Sequence, residues 1–335
     1  PMPTIGACAG FSAISGSSLA TAATFTQIAV PEMQRYGYDD RLATGSVAAA
    51  GTLGILIPPS VIMVIYALAA EESVPMLFAA GMIPGVILAA LFLVVVWVMV
   101  RLRPEWAPEG PRMPMRERVI AVLSMWKLVL LFGLAVGGIY TGWFSPTEAA
   151  GIASFAAIII AFATRQLSWR GLYECLMETL RTTAMLMFII VGAWIFAYFV
   201  VQTRLPVGLI DLIKHFDLAP WAVIMMILVF YIILGCVLDA VAIILVTVPV
   251  FLPVATALGY DSVWYGILMV VVVEIGLITP PVGLNIFVMR AQLPEVPLTT
   301  MFAGIAPFLV ADGILIALLL LFPQIALWLP GILFS

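Results

Sequence analysis

Two kinds of apolar stretch alternate along the chain, and they differ in whether anything breaks them. Residues 76–101, 119–141, 147–165 and 176–201 are continuous, and each nears or exceeds the ~20 residues that cross a hydrocarbon core of about 30 Å. They read as spanning helices. The remaining apolar stretches are interrupted. Helix-breaking residues interrupt 4–30, Pro58-Pro59 divides 41–70, a second broken stretch covers 220–254, and another interrupted helix covers 262–291. A final apolar region begins at Thr300, and 204–217 reads as a polar connection. Gly142-Trp143-Phe144-Ser145-Pro146 is a helix stop and restart, so the helices on either side form an antiparallel pair. The pattern predicts an all-α polytopic membrane protein. Its expected parts are 1–70 and 219–291, each a hairpin plus a broken helix, with connecting and scaffold helices at 71–218 and a C-terminal transmembrane region at 292–335.

The broken stretches are copies of each other. Residues 17–65 match 239–287 at a constant offset of 222: Pro31, Gly37, Tyr38, Asp39, Gly54, Pro58 and Pro59 meet Pro253, Gly259, Tyr260, Asp261, Gly276, Pro280 and Pro281. Identities at special residues stand out in a chain made mostly of Ala, Ile, Leu and Val. The threading above places an odd number of crossings between the copies, so the second enters from the opposite side. Inverted repeats of this kind build secondary transporters, whose substrate and ion sites lie near the midplane where the repeats meet.

Each copy opens with two short arms. The arms 221–234 and 240–254 flank Gly235-Cys236-Val237-Leu238-Asp239, and an arm of ~14 residues reaches only about 21 Å. A re-entrant hairpin with its tip deep in the membrane is the simplest reading. The corresponding tip in the first copy is Ser15-Gly16-Ser17-Ser18. Irregular backbone at that depth is tolerated where protein buries it or where it lines a polar cavity. Its serine hydroxyls and free carbonyls suit a hard cation such as Na⁺.

Behind each hairpin lies a helix broken by tandem proline, at 51–59 and 274–281. Proline supplies no backbone N–H and drives the preceding residue out of helical geometry. Carbonyls are freed at the break, while the restarted helix offers its positive N-terminal end to an anion. Two carboxylates fall in these segments, at a cost that calls for a partner or a task. Asp239 reads either as a cation ligand or as the cap of the arm that follows it, and Glu274 either as a structural hydrogen-bonding group or as part of a site. Asn285, four residues past Pro281, would share a helix face with the break and so reach a solute there.

Composition narrows the function. Of 335 residues 64% are apolar and 10% charged, against roughly 25% charged in soluble domains, and mean hydropathy is +1.21. Twelve of the 14 Lys and Arg residues (Arg35, Arg41, Arg101, Arg103, Arg112, Arg116, Arg118, Lys127, Arg165, Arg170, Arg181 and Arg290) fall on one side in this threading, leaving Arg204 and Lys214 on the other. That side is then cytoplasmic. The net charge of −4 and the lack of a basic stripe interleaved with aromatics argue against nucleic acid. Cys8, Cys175 and Cys236 are scattered through apolar sequence and indicate neither zinc nor disulfides. The chain opens on Pro1 without a basic signal-peptide start, which reads as a truncated or processed N-terminus. An intramembrane hydrolase would need a buried histidine, and the single one, His215, lies outside both repeats. A channel is the closer rival, because re-entrant hairpins also build selectivity filters.

In its motifs the chain resembles the large membrane subunit, DctM type, of tripartite ATP-independent periplasmic (TRAP) transporters. Those motifs are Gly16–Thr24 (GSSLATAAT), Pro31-Glu32-Met33, Gly37-Tyr38, Ala43–Pro59, Asp239–Pro253 and Glu274–Phe287 (EIGLITPPVGLNIF). The resemblance implies Na⁺-driven uptake of an organic acid across the bacterial inner membrane by an elevator motion, with no cofactor beyond Na⁺. It also implies two partners, a small four-helix membrane subunit (Q type) and a periplasmic substrate-binding protein (P type). Carried over, one Na⁺ site would comprise Ser15, Gly16, Ser17, Gly51, Thr52, Gly54 and Pro58, and the other Gly235, Asp239, Glu274, Gly276, Thr279 and Pro280. The organic acid would lie between the tips, near Ser17, Ser18, Thr52, Pro59, Pro281 and Asn285. A proton-coupled or antiporting carrier of the same architecture is the nearest alternative. The family's initial scaffold helices have no counterpart before Pro1.

Overall fold

The computed structural model describes residues 1–108, 114–117, 123 and 125–334. It comprises two compact units, Pro1–Arg112 with Val207–Ser335, and Met113–Pro206. Arg112, Arg118 and the start of the 119–141 stretch lie outside the described residues.

Local chemistry sets the elements of the first unit. Helix α1 (Met2–Ser15) stops where Gly16 adopts a left-handed φ of 59°, a conformation glycine takes without a Cβ penalty. Ser17 then caps α2 (Ser18–Arg35), its Oγ accepting from the Ala20 N–H. Asp39 caps α3 (Asp40–Leu56). The helix ends just before Pro58, and Ser60 caps the restart, α4 (Val61–Ala70), at a bend of 41°. Helix α5 (Val74–Leu102) follows.

The second half of this unit repeats the scheme. It contains α9 (Leu205–His215), α10 (Pro220–Gly235), α11 (Ala240–Ala257), α12 (Ser262–Ile278), α13 (Leu284–Gln292), α14 (Leu298–Leu321) and α15 (Gln324–Leu333). The sequence offset survives to the residue. Helices α2 and α3 begin and end 222 positions before α11 and α12, and the caps Ser17 and Asp39 correspond to Asp239 and Asp261. Both proline pairs carry a cis bond.

The two broken helices start from opposite ends of the unit. Beside the start of α3, the Asp39 N–H donates to Trp106 O at 3.0 Å, and the Arg41 guanidinium lies 5.6 Å from the Trp106 ring. Beside the start of α12, Ser262 Oγ bonds Glu72, and Tyr66 Oη donates to Ser262 O at 2.7 Å. Trp106 and Glu72 flank the two ends of α5, whose 29 residues span about 44 Å. The copies therefore run antiparallel, as the inverted repeat requires. Glu72 falls at one end of α5 with Arg101 and Arg103 at the other, which matches the charge asymmetry read from the sequence.

The broken helices also form the core. Every residue from Leu42 to Leu56 and from Val263 to Ile278 is buried. Helix α14 packs on α3 at a glycine contact in which a Cβ on Gly304 would overlap Arg41 O. Phe92 of α5 meets Phe308 of α14 edge to face, centroids 5.5 Å apart.

Three expectations need correction. The polar connection at 204–217 contains helix α9, because Leu205, Val207, Leu209, Ile210, Leu212 and Ile213 are interleaved with its few charges. The final apolar region is two helices, divided at Phe322-Pro323. The second arms of the hairpins are longer than expected, 18 residues each, or about 27 Å. Pro31, Pro249 and Pro253 lie inside these helices without ending them, as neighbouring helices permit in apolar settings. By length and composition alone, α11 is a candidate span, with α5, α14 and two helices of the second unit.

The second unit contains a helical segment at Trp126–Phe132 (α6), a π-helical turn at Gly133–Gly137, and helices α7 (Pro146–Ala163) and α8 (Trp169–Gln202). The segment from Trp126 to Tyr140 packs against α7 across the predicted turn, where Ser145 and Glu148 form a capping box. Helix α8 has 34 residues and exposes Phe188, Trp194, Ile195 and Tyr198, as a helix sheathed in lipid does. The protein is a multi-pass membrane protein.

Candidate functional site

In each copy, glycines hold the hairpin tip against the broken helix. A Cβ on Gly16 would come within 2.7 Å of Pro59 O, and one on Gly54 would stand 3.0 Å from Ser17 O. Gly51 faces Ala22 and Ser18 O at 3.2 and 3.4 Å in the same sense. The first tip, Ser15 to Ser18, is thus pressed backbone to backbone on the break. In the second copy, a Cβ on Gly235 would come within 2.9 Å of the Gly276 Cα and 3.3 Å of Val273 O. Helix α10 packs on α12 through this contact.

Tandem proline then determines which carbonyls are left over. Pro58 and Pro59 stand four residues beyond Gly54 and Ile55, and Pro280 and Pro281 four beyond Gly276 and Leu277. A proline nitrogen has no hydrogen to give. The four carbonyls of Gly54, Ile55, Gly276 and Leu277 thus lack their usual i+4 amide; Gly276 O accepts from the Thr279 N–H at 3.2 Å instead, which leaves Gly54, Ile55 and Leu277 beside the glycines that seat the tips. Such carbonyls are ligands of the hard-cation type.

The hydroxyls are partly committed. Thr52 Oγ1 donates to Ala49 O at 2.5 Å and Thr279 Oγ1 to Ile275 O at 2.6 Å, each within its own helix. Beneath the first tip, Thr21 Oγ1 donates to Ser17 O at 2.8 Å and lies 3.1 Å from Ser15 Oγ and 3.4 Å from Ser12 Oγ. Ser12 and Thr21 are fully buried members of this cluster that the sequence reading did not single out. Their signal was available: Thr21 falls one helical turn after Ser17, and Ser12 one before Ser15.

The copies also interlock. Helix α2 packs on α13, and α11 packs on α4, so the second arm of each hairpin rests on the restarted helix of the other copy. At the first of these contacts, Asn285 Nδ2 donates to Ser18 Oγ at 2.5 Å, while Asn285 Oδ1 is buried with no partner. Asn285 therefore joins the second break to the first tip.

The two sites differ in exposure. Gly16, Ser18, Gly51, Thr52, Gly54 and Pro58 are buried, whereas Val237, Leu238, Asp239, Pro280 and Pro281 are exposed. Asp239 is the N-cap of α11, its Oδ2 accepting from the Val241 N–H at 3.0 Å. Substituting Asp239 by Ala should lower stability by about 1 kcal/mol, while Asn, an equally good cap, should leave it nearly unchanged. Thermal unfolding of the purified variants checks this, and equal melting temperatures for Asp239→Ala and the parent would contradict it. The hydrogen-bonding role considered for Glu274 is not observed. Glu274 is 2% exposed and neither of its carboxyl oxygens has a partner. The apolar side chains around it on α12 offer no donor.

Residues 2–325 match the family described as "Tripartite ATP-independent periplasmic transporter, DctM component". A C4-dicarboxylate TRAP transporter large permease protein DctM of Pseudomonas aeruginosa is 39% identical over 97% of this chain and 76% of the relative. A sialic acid TRAP transporter large permease protein of Vibrio cholerae is 33% identical over 96% of this chain and 74% of the relative. An ectoine TRAP transporter large permease protein of Halomonas elongata is 32% identical over 99% and 77%.

Proposed function

Because the chain belongs to the DctM-component family of tripartite ATP-independent periplasmic transporters, we propose that it is the permease subunit for Na⁺-coupled uptake of an organic acid. The observation that carries this reading is the pairing of two glycine-seated tips with two proline breaks on antiparallel helices. One Na⁺ is held at the first tip by carbonyls and hydroxyls among Ser15, Gly16, Ser17, Gly51, Thr52, Gly54 and Pro58. A second is held at the other by Gly235, Gly276, Thr279 and Pro280, with Asp239 and Glu274 as the nearby acids. The organic acid lies between the tips, near Ser17, Ser18, Thr52, Pro59, Pro281 and Asn285, where Ser18 and Asn285 already touch. Its carboxylate is drawn to the restarted helix α13 by the positive end of that helix.

The hairpins and broken helices act as a transport domain that moves against a scaffold in an elevator mechanism. A small four-helix membrane subunit and a periplasmic binding protein complete the assembly in the inner membrane. Support for a small membrane partner comes from a relative named as an isethionate permease DctMQ, 35% identical over 86% of this chain, of which this chain covers 45%.

The test is uptake into proteoliposomes holding this chain and its small subunit, with the cognate binding protein outside. The probe is a radiolabelled acid chosen by a melting-shift screen of that binding protein against C4-dicarboxylates, sialic acid and ectoine. An inward Na⁺ gradient alone should drive accumulation, and a pH gradient alone should not. Accumulation on the pH gradient alone identifies the proton-coupled alternative. Flux that persists without Na⁺ or binding protein identifies a channel.

A further inference from the structure

The hydroxyl cluster under the first tip has a fixed direction. Thr21 Oγ1 carries one hydrogen and gives it to Ser17 O at 2.8 Å. A hydroxyl whose hydrogen is committed can only accept from others. In its contacts with Ser15 Oγ at 3.1 Å and Ser12 Oγ at 3.4 Å, the serines are therefore the donors. Both lone pairs of Thr21 are then filled. Ser17 O is filled as well, since the Thr21 N–H also donates to it at 3.1 Å, and Ser17 Oγ accepts from the Ala20 N–H.

Ser15 is placed differently. Its hydrogen is turned onto Thr21, and the Ser17 N–H reaches its oxygen only at 3.5 Å. A hydroxyl accepts at two lone pairs, so one on Ser15 Oγ stays free. Ser15 is half-buried at the tip, whereas Ser12 and Thr21 are fully enclosed. The cluster sits against the break: a Cβ on Gly54 would stand 3.0 Å from Ser17 O and 3.2 Å from Ser12 Oγ. Gly54 O is one of the carbonyls that tandem proline leaves over.

A hairpin of this kind folds without such a cluster. In the other copy the residue equivalent to Thr21 is Ile243, also buried, and no hydroxyl occurs from Ile232 to Asp239. Buried hydroxyls are unfavourable unless they are bonded, and the second tip avoids them. The first tip keeps three, bonded to one another. We infer that Thr21 is a positioning residue of the first ion site: its oxygen holds the hydrogen of Ser15, so that Ser15 Oγ meets a cation as a preorganised acceptor. Ser12 fills the second lone pair of Thr21. Without Thr21 the Ser15 hydroxyl rotates freely and turns its hydrogen toward the ion in part of its orientations.

This rests on the Na⁺ reading proposed above and takes Ser17 out of the first ion shell. The test is the melting temperature of the purified full chain against NaCl, with choline chloride keeping ionic strength constant, because binding to the folded state raises it. The parent should be stabilised by NaCl. Thr21→Val should need about fivefold more NaCl for the same rise, the effect of one ordinary hydrogen bond. Thr21→Ser, which keeps the hydroxyl, should titrate like the parent. Ser15→Ala should shift the curve at least as far as Thr21→Val, and the double variant no further than Ser15→Ala, because Thr21 acts through Ser15. A merely structural threonine would lower the melting temperature without moving the NaCl midpoint. Thr21→Val titrating like the parent, Thr21→Ser shifted as far as Thr21→Val, or additive shifts in the double variant each overturn the inference. So does Ser15→Ala titrating like the parent, whether or not Thr21→Val folds. In all these outcomes the parent still responds to NaCl, and the Na⁺ reading stands. A parent that NaCl does not stabilise overturns both.

Discussion

Gly276→Val should abolish Na⁺-driven uptake while the protein still reaches the membrane. The Gly276 Cα stands against the Gly235 backbone so closely that even a Cβ would overlap it. The neighbour in the way is main chain rather than the free end of a side chain, so the tip of the second hairpin must lift from α12. Overpacking of this kind costs about 2 kcal/mol, or roughly 30-fold in the balance between seated and displaced tip. The carbonyl left over at Leu277 would then face a tip no longer in place. Gly192→Val on α8 is the control, because a Cβ there meets open space. Uptake kinetics and membrane yield of the two variants check the expectation. Equal uptake in both would show that the glycine contact has no part in transport.

Pro280→Ala combined with Pro281→Ala should lower Na⁺-dependent uptake by about tenfold or more, with insertion intact. Each alanine returns an N–H to the backbone and removes a ring that blocks the helix. The amide of residue 281 can then bond Leu277 O, and that of residue 280 can take the place of the Thr279 N–H on Gly276 O, so the ligand carbonyl is consumed as the helix extends toward α13. A lost carbonyl–Na⁺ contact is an ion–dipole interaction of the order of a hydrogen bond to a charged group, about 1.5 kcal/mol or more, and each 1.4 kcal/mol is a factor of about ten. The expected signature is a rightward shift of the Na⁺ titration. Asp239→Asn, which keeps the cap and removes the charge, should shift the same curve less. Unchanged uptake kinetics in the double alanine variant would show that the break serves packing alone.

What could be read from the sequence was what special residues mark. Proline pairs, cap-forming Asp39, Asp261 and Asp239, and the glycine turns at Gly37 and Gly259 fixed the register of both copies, because each answers to a backbone rule independent of its surroundings. Helix α9 was missed where the apolar spacing is short and mixed with charge, and the division between α14 and α15 was hidden by continuous hydrophobicity. The contact of Asn285 with Ser18 joins positions 267 apart. Spacing had placed Asn285 on the side of the break, but only the packing of α13 on α2 names its partner. Asp239 was open between ligand and cap, and the structure shows the cap because its side chain folds back on Val241.

The account depends on the two copies passing through the membrane in opposite directions. Arg35 and Ala257 are equivalent under the offset of 222 and both are exposed at the ends of their helices. In a background with Cys8, Cys175 and Cys236 replaced, a single cysteine at each position can be challenged in intact cells with a membrane-impermeant thiol reagent. The cysteine at 257 should react from outside and the one at 35 only after the membrane is opened; reaction of both from the same side would contradict the inverted repeat and the ion sites built on it.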